Sequence, residues 1–475
     1  MSAQITRLFG VIVVLFALLA VFTTRWTVID ASSLNNNSLN SLTLVSQLKI
    51  KRGQLLADDG TSLARSVPAG GGTWKRAYPT SSLFAQAVGY SNLTAGSAAG
   101  LELSDGNYTR GLQTGLNSIF GQLTPTRVGD DVHTTLDPKA QQAAKQALGG
   151  QAGSVVALNP RTGAVLAMYS NPSYDDNNPT SCAAPSCSLL NRATQARYAP
   201  GSTFKIVTAV AAIDSGLYTP DSVINGNSPI TVSGVPLAND GGTSWGPQTL
   251  TTAMINSINT IFAQVAERVG IPTMTKYMKR FGFYSVPPLD YPPAEMRPSD
   301  VYSPTTGKLL RPGSPDEDIG RIGIGEGGVA TTPLQMAMVA AAVANGGKLM
   351  VPHFTSRVVN SDGVTVKTIT PSVYSQVMSP TTAQEVTQMM TKVVEEGTGT
   401  AVQLSGISVA GKTGTASIGA NGLNLTQPSF VAFAPAQDPK VAIAVTVDQS
   451  QGGFGGTVAA PIAKAVLQTL LAEGK

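Results

Sequence analysis

Hydrophobic patterning divides the chain before any chemistry is considered. From Leu8 to Thr24 the sequence reads LFGVIVVLFALLAVFTT, uncharged throughout, with Arg7 before it and Arg25 after. This predicts a helix just long enough to span a bilayer. Trp26 suits the interfacial aromatic belt. The alternative is a cleaved signal peptide, but the run exceeds a usual signal core and no clear Ala-x-Ala cleavage pattern follows. Either way, the remainder is expected to be exported; on the favoured reading residues 1–26 form a short cytoplasmic tail and a single-pass anchor in the cell membrane. The polar, Asn-rich stretch 31–41 reads as a juxtamembrane linker.

From Lys49 to Leu148 short apolar runs alternate with Gly, Asp and Pro, which predicts short strands, turns and a few helical pieces. Residues 137–148, DPKAQQAAKQAL, predict a helix with Pro138 in its first turn and Gly149-Gly150 at its end. Residues 153–170 hold two apolar, β-branched runs joined by Asn-Pro-Arg-Thr-Gly, a hairpin that opens a new unit. Helical patterns follow at 203–216, 249–270, 332–347 and 382–397. Strand patterns return at 407–416, 428–436 and 440–448, and a final helix is expected at 458–473. Strands first, helices between, strands again and a closing helix predict an α+β fold, an antiparallel sheet covered by helices. The Pro- and Gly-rich stretch 287–315 reads as a long loop near a cleft. Three units are expected: the anchor at 1–26, an N-terminal β-rich unit at 27–150, and an α+β unit at 151–475.

Composition narrows the partners. Charged residues make up 13% of the 475, about half the ~25% of an average globular protein. The formal net charge of +4 is mild, and without a basic run nucleic acid is not an expected partner. Cys182 and Cys187 lie close together in TSCAAPSCS. Export permits a disulfide between them, the alternative being two free thiols. Two such ligands do not make a metal site, and no cofactor is implied.

Lys205 heads an almost uncharged run three residues after Ser202, in YAPGSTFKIVTAVAAIDSG. At i and i+3 on a helix the two share a face. A serine nucleophile needs a base, and a lysine serves if apolar burial lowers its pKa below ~10.4. Val207, Val210, Ala211 and Ile213 predict such burial. A helix N-terminus also offers free N–H groups to a developing oxyanion. Ser-x-x-Lys alone is weak, since Ser46 and Lys49 repeat it. Ser257-Ile258-Asn259, in a predicted helical region, is weak too, because Ser33/Asn35 and Ser38/Asn40 share its spacing. Lys412-Thr413-Gly414-Thr415 occurs once, on a predicted strand. Such an edge can bind an extended peptide by strand addition, Gly414 allows close backbone approach, and Lys412 supplies positive charge for a substrate carboxylate. The three motifs in this order are specific where each alone is not.

With those motifs the chain resembles the penicillin-binding proteins, D,D-transpeptidases of the class B, monofunctional type. RGQLLADDGTSLA (52–64) is similar to the family's N-terminal motif, with Ala57 where many members have Asp. GDDVHTTLDPKAQQAA and GSVVALNPRTGAVLAMYSNPSYD are similar to the entry into its transpeptidase domain. IGEGGVATTPLQMA carries Glu326 where many members have Gln. The resemblance implies a five-stranded antiparallel sheet covered by helices in a transpeptidase domain at 151–475, and a non-catalytic pedestal or dimerisation domain at 27–150. It implies Ser202 as nucleophile on D-Ala-D-Ala stem peptides of peptidoglycan, Lys205 as base and Ser257 as proton relay linked to Lys412. It also implies Asn259 on the acyl-side amide, Thr413 and Thr415 at the terminal carboxylate, and backbone N–H groups of Ser202 and Thr415 as oxyanion hole. β-Lactams would acylate Ser202. A membrane glycan polymerase and other cell-wall machinery would be partners.

Other readings fit less well. GISVAGKT (406–413) matches a P-loop, but Gly414, Gly419 and Gly422 follow where a helix is required. His133 and His353 are the only histidines, with no G-x-S-x-G context for a Ser-His-Asp hydrolase. A D,D-carboxypeptidase or β-lactamase would share the motifs, but the extra length between membrane and catalytic unit argues against a simple β-lactamase. A non-enzymatic β-lactam sensor would need a larger cytoplasmic part than Met1 to Arg7.

Overall fold

The computed structural model describes residues 3–29, 41–112, 128–418 and 424–474; the expected linker over 31–40 lies outside them. Helix α1, Ala3–Thr24, buries none of its residues against protein. The Thr23 and Thr27 hydroxyls donate back to carbonyls four residues earlier, at 2.6 and 2.7 Å. A helix that is apolar all round and uncovered by protein is compatible with a membrane anchor.

The first sheet is built from β1 (Leu55–Leu56), β2 (Ser62–Gly70), β3 (Thr73–Ala77) and β4 (Asp131–Thr134). Beside it Glu102 is fully buried between two guanidinium groups, with Arg52 Nη2 and Arg76 Nε each 2.6 Å from a carboxylate oxygen. Burial alone would raise this carboxyl's pKa; the charges of Arg76 and Arg52 prevail and hold it below the ordinary range. Helix α2, Pro138–Leu148, is capped by Asp137, whose side chain accepts from Ala140 N, and it ends at Gly149 with φ of 56°.

The expected hairpin is β5 (Gly153–Leu158) and β6 (Val165–Asn171). Helices α3 (Lys205–Asp214), α4 (Leu250–Ile255), α5 (Asn259–Arg280) and α6 (Pro333–Ala344) follow. The single helix expected over 249–270 is two, broken at residues 256–258 around Ser257 with φ of 57°. After several short two-stranded pairings, β7 (Thr355–Val359) and β8 (Thr365–Thr368) return to the first sheet and extend it in the order β8-β7-β4-β1-β2-β3. The chain then forms α7 (Pro380–Glu395), β9 (Ala410–Ser417), β10 (Leu425–Ala434), β11 (Val441–Val447) and the closing helix α8 (Ala460–Ala472).

The second sheet runs β9-β10-β11-β5-β6, all antiparallel, with a two-residue strand, Ser450–Gln451, added to β10. Its register places Thr413, Phe430, Val445, Val155 and Tyr169 in one row and Lys412, Val431, Ala444, Val156 and Met168 in the next. Successive residues point to opposite faces. Phe430, Val445, Val155 and Tyr169 pack with α2 and α8, whereas Val431, Ala444, Val156 and Met168 join the core of α3 to α7. Both faces are covered, which is why these strands read as continuous apolar runs. Strand β9 is left at the sheet edge. Cys182 and Cys187 form a disulfide with Cα atoms 5.4 Å apart.

Candidate active site

Three backbone segments meet closely enough that only glycine fits at the contacts. Gly201 has φ of 53°, and a Cβ there would lie 2.9 Å from Thr415 O. At Gly325, with φ of 83°, a Cβ would lie 1.9 Å from Gly201 O, and Gly201 N donates to Gly325 O at 3.1 Å. At Gly414 a Cβ would lie 2.6 Å from Pro200 O. These approaches clamp the turn carrying Ser202 between the β9 edge and the loop that begins at residue 325.

Residues 201–204 form a 3-10 turn that continues into α3 at Lys205. Ser202 is half-buried, and its hydroxyl makes no hydrogen bond to any described residue. Lys205 is fully buried and turns its amine across to the break between α4 and α5. Its Nζ lies 2.6 Å from Ser257 O, 2.7 Å from Asn259 Oδ1 and 3.1 Å from Ser257 Oγ. Those contacts explain the broken helix: the Ser257 carbonyl is committed to a lysine from another element. Lys412 is also fully buried and donates to Ser257 Oγ at 3.0 Å and Thr413 O at 3.0 Å. Ser257 is thus the junction of both amines.

Dehydration sets the charge of this pair. Burial lowers the Lys205 pKa well below its ordinary value, and the charge of Lys412 lowers it further; Asp240 and Glu326 oppose this weakly. Burial pushes Lys412 down to about 7, against the pull of Asp240. A neutral Lys205 has two N–H bonds, which satisfy Ser257 O and Asn259 Oδ1, and a lone pair free to take a proton.

The β9 edge completes the cleft. Pro428 stands opposite Thr415 in the register, and proline cannot supply a ladder N–H. Thr415 therefore occupies a non-hydrogen-bonded pair, with its N–H and C=O directed away from β10. Its hydroxyl accepts from Gly455 N at 3.1 Å. Thr413 Oγ1 lies 2.7 Å from Thr398 Oγ1. Because residues 410–417 form a strand rather than a loop-to-helix junction, the P-loop match is set aside.

Several neighbours carry no local sequence signal. Asp240 faces both lysines and accepts from Asn259 Nδ2 at 3.3 Å. Asn239 Oδ1 accepts from Thr260 N at 2.9 Å, a cap for α5 supplied by a distant loop. Phe262 presents its ring to Lys205 Nζ at 5.6 Å. Only the tertiary fold brings these groups together. Among the described residues no cluster of His, Cys, Asp and Glu could hold a metal.

The penicillin binding protein transpeptidase domain matches residues 153–468, and the penicillin binding protein A dimerisation domain matches residues 52–124. Peptidoglycan D,D-transpeptidase PbpA of Mycolicibacterium smegmatis is 35% identical, covering 100% of both chains. The PbpA of Mycobacterium tuberculosis is 33% identical over 99% of each. Among solved structures, the ceftriaxone acyl-enzyme of M. tuberculosis penicillin-binding protein A superposes with a TM-score of 0.78 at 31% identity, covering 90% of this chain and 100% of that one. The D,D-transpeptidase domain of an Eggerthella lenta peptidoglycan glycosyltransferase gives 0.78 at 32% identity, over 90% and 99%.

A helix-covered antiparallel sheet of this topology, with these relatives, defines an acyl-transferring enzyme of the penicillin-recognising class. The chain belongs to the penicillin-binding protein transpeptidase family, and its full-length likeness is to class B members of the PbpA type.

Proposed function

We propose that this protein is a peptidoglycan D,D-transpeptidase that acts outside the cell membrane through a serine acyl-enzyme. The single observation that carries the mechanism is the convergence of two buried amines on Ser257 beside the clamped Ser202 turn. In this reading Ser202 Oγ attacks the penultimate D-Ala carbonyl while Lys205 Nζ takes its proton. The N–H groups of Ser202 and Thr415 hold the oxyanion. Ser257, between Lys205 and Lys412, passes the proton to the leaving D-Ala nitrogen as the C–N bond breaks. Asn259 binds the acyl-side amide, and Thr413 and Thr415, with Gly414 between them, bind the terminal carboxylate. The amine of a second stem peptide then attacks the ester, the C–O bond breaks and Ser202 recovers its proton.

In this reading the chain divides into anchor, pedestal and catalytic unit. A single pass of α1 would leave residues 27–150 as a non-catalytic pedestal or dimerisation domain, and 151–475 as the transpeptidase. The pedestal would dock a membrane glycan polymerase and other cell-wall machinery. β-Lactams, as mimics of D-Ala-D-Ala, would acylate Ser202. Fluorescent penicillin tests the assignment: native chain labels, Ser202→Ala does not. Equal labelling of both would refute the nucleophile.

A further inference from the structure

Beside the nucleophile turn lies a cleft of about 530 Å3 whose wall includes Ala199, Tyr302, Val329, Ala416, Ser417 and Glu326. Glu326 is the single charged side chain among the described lining residues. Its backbone is fixed, since its N–H donates to Arg321 O at 2.9 Å and the preceding Gly325 is locked against Gly201. Glu326 projects from the surface, and its partly enclosed carboxylate makes no hydrogen bond or ion pair with a described residue. The nearby Arg321 is committed elsewhere, to Asp318 Oδ2 at 2.9 Å and Val232 O at 3.0 Å. Arg197 stacks on the Tyr302 ring at 4.7 Å but does not line the cleft. Partial enclosure raises the Glu326 pKa, while Lys205 and Arg321 pull it down and Asp240 raises it. The carboxylate therefore faces the cleft with no cation bound to it.

The direction of β9 says which part of a substrate reaches this carboxylate. In the proposed reaction the terminal carboxylate lies at Thr413 and Thr415, and the attacked carbonyl lies between Ser202 and Thr415. The chain upstream of that carbonyl must then run toward Ala416 and Ser417. An extended peptide advances ~3.4 Å per residue, so the residue preceding the acylated D-Ala falls beside the Glu326 cleft.

We propose that Glu326 is a specificity-determining residue whose carboxylate pairs with a positively charged side chain on the donor residue immediately upstream of the acylated D-Ala. The proposal rests on the transpeptidase reading above and adds the charge of the donor. A neutral Gln at this position would lack that selection.

Three penicillins test it, because they differ at one carbon of the acyl side chain: ampicillin carries an ammonium there, benzylpenicillin a hydrogen and carbenicillin a carboxylate. Acylation rate constants are measured for the full-length protein in detergent at slightly acidic pH, where the α-amine of ampicillin keeps its proton, with native, Glu326→Gln and Glu326→Asp chains. The ratio of ampicillin to carbenicillin within one protein cancels any general effect on Ser202 or Lys205. Glu326→Gln is expected to lower that ratio about three- to tenfold, the size of one charge acting across a partly solvated cleft. Glu326→Asp should keep most of it, and added salt should narrow the native ratio. A ratio unchanged by Glu326→Gln overturns the proposal. If that variant fails to fold, a native ratio indifferent to salt overturns it equally. Failure of all three penicillins to label the native chain would instead sink the transpeptidase reading itself.

Discussion

Lys205 and Lys412 show how one side chain's chemistry depends on the loss of water. Lys205→Met should reduce penicillin acylation by about 10²–10⁴-fold, the usual worth of a positioned base. Its thermal midpoint should fall only modestly: Ser257 O and Asn259 Oδ1 lose a donor, but an apolar chain of similar length replaces an amine that burial already disfavours. Near-native acylation by this variant would remove lysine as the base. In the native chain, acylation should rise with pH as Lys205 loses its proton, with a midpoint well below 10.5. Lys412 has a folded pKa of about 7, below the ~10.4 of an unfolded lysine. Between those values the unfolded chain binds a proton that the folded chain does not, so stability rises with pH there and is lost as pH falls toward 7. Urea midpoints measured across that window should rise, and Lys412→Met should flatten the rise. Ser202 and Lys205 were legible as a motif because their spacing is local. Asp240, Thr398 and Phe262 were not, because nothing in their own neighbourhoods points to a partner in another element.

Among the elements, the β9 edge and the Ser202 turn position the chemistry by backbone contact. Gly414→Ala would place a methyl group 2.6 Å from the Pro200 carbonyl, which cannot rotate away. The expected outcome is a loss of about 1–3 kcal/mol in stability from forced displacement. Acylation should fall by an order of magnitude or more, in line with a disturbed oxyanion donor; a variant that acylates at the native rate would show that this contact does not position Thr415. Most elements followed from periodicity: the 153–170 hairpin, the α3 run and the three late strands stand where their patterns placed them. The 249–270 pattern did not. Its apolar repeat is helical throughout, yet Ser257 takes a left-handed φ because two buried lysines claim its carbonyl and hydroxyl.

The whole molecule is tied together by strands that cross from one sequence region to another. β7 and β8 come from the midst of the 151–475 stretch but pair beside β4, so the first sheet needs both halves of the chain. Beside that sheet, Glu102→Gln removes the charge between Arg52 and Arg76 and should cost ~3–5 kcal/mol, as breaking a buried pair does. A lowered unfolding midpoint is expected, with penicillin labelling per folded molecule unchanged, since Glu102 lies in the N-terminal half. An unaltered midpoint would mean that the cluster adds no net stability.

Composition and local order determined the N-terminal apolar helix, the α+β class and the three motifs, because hydrophobic period and short-range spacing are written in consecutive residues. Tertiary structure decided the rest. It dehydrated two lysines, broke a helix to give them a common partner, and pressed residues 201, 325 and 414 into glycine-only contacts. Those outcomes depend on which distant surfaces meet, and burial acts only after they have met.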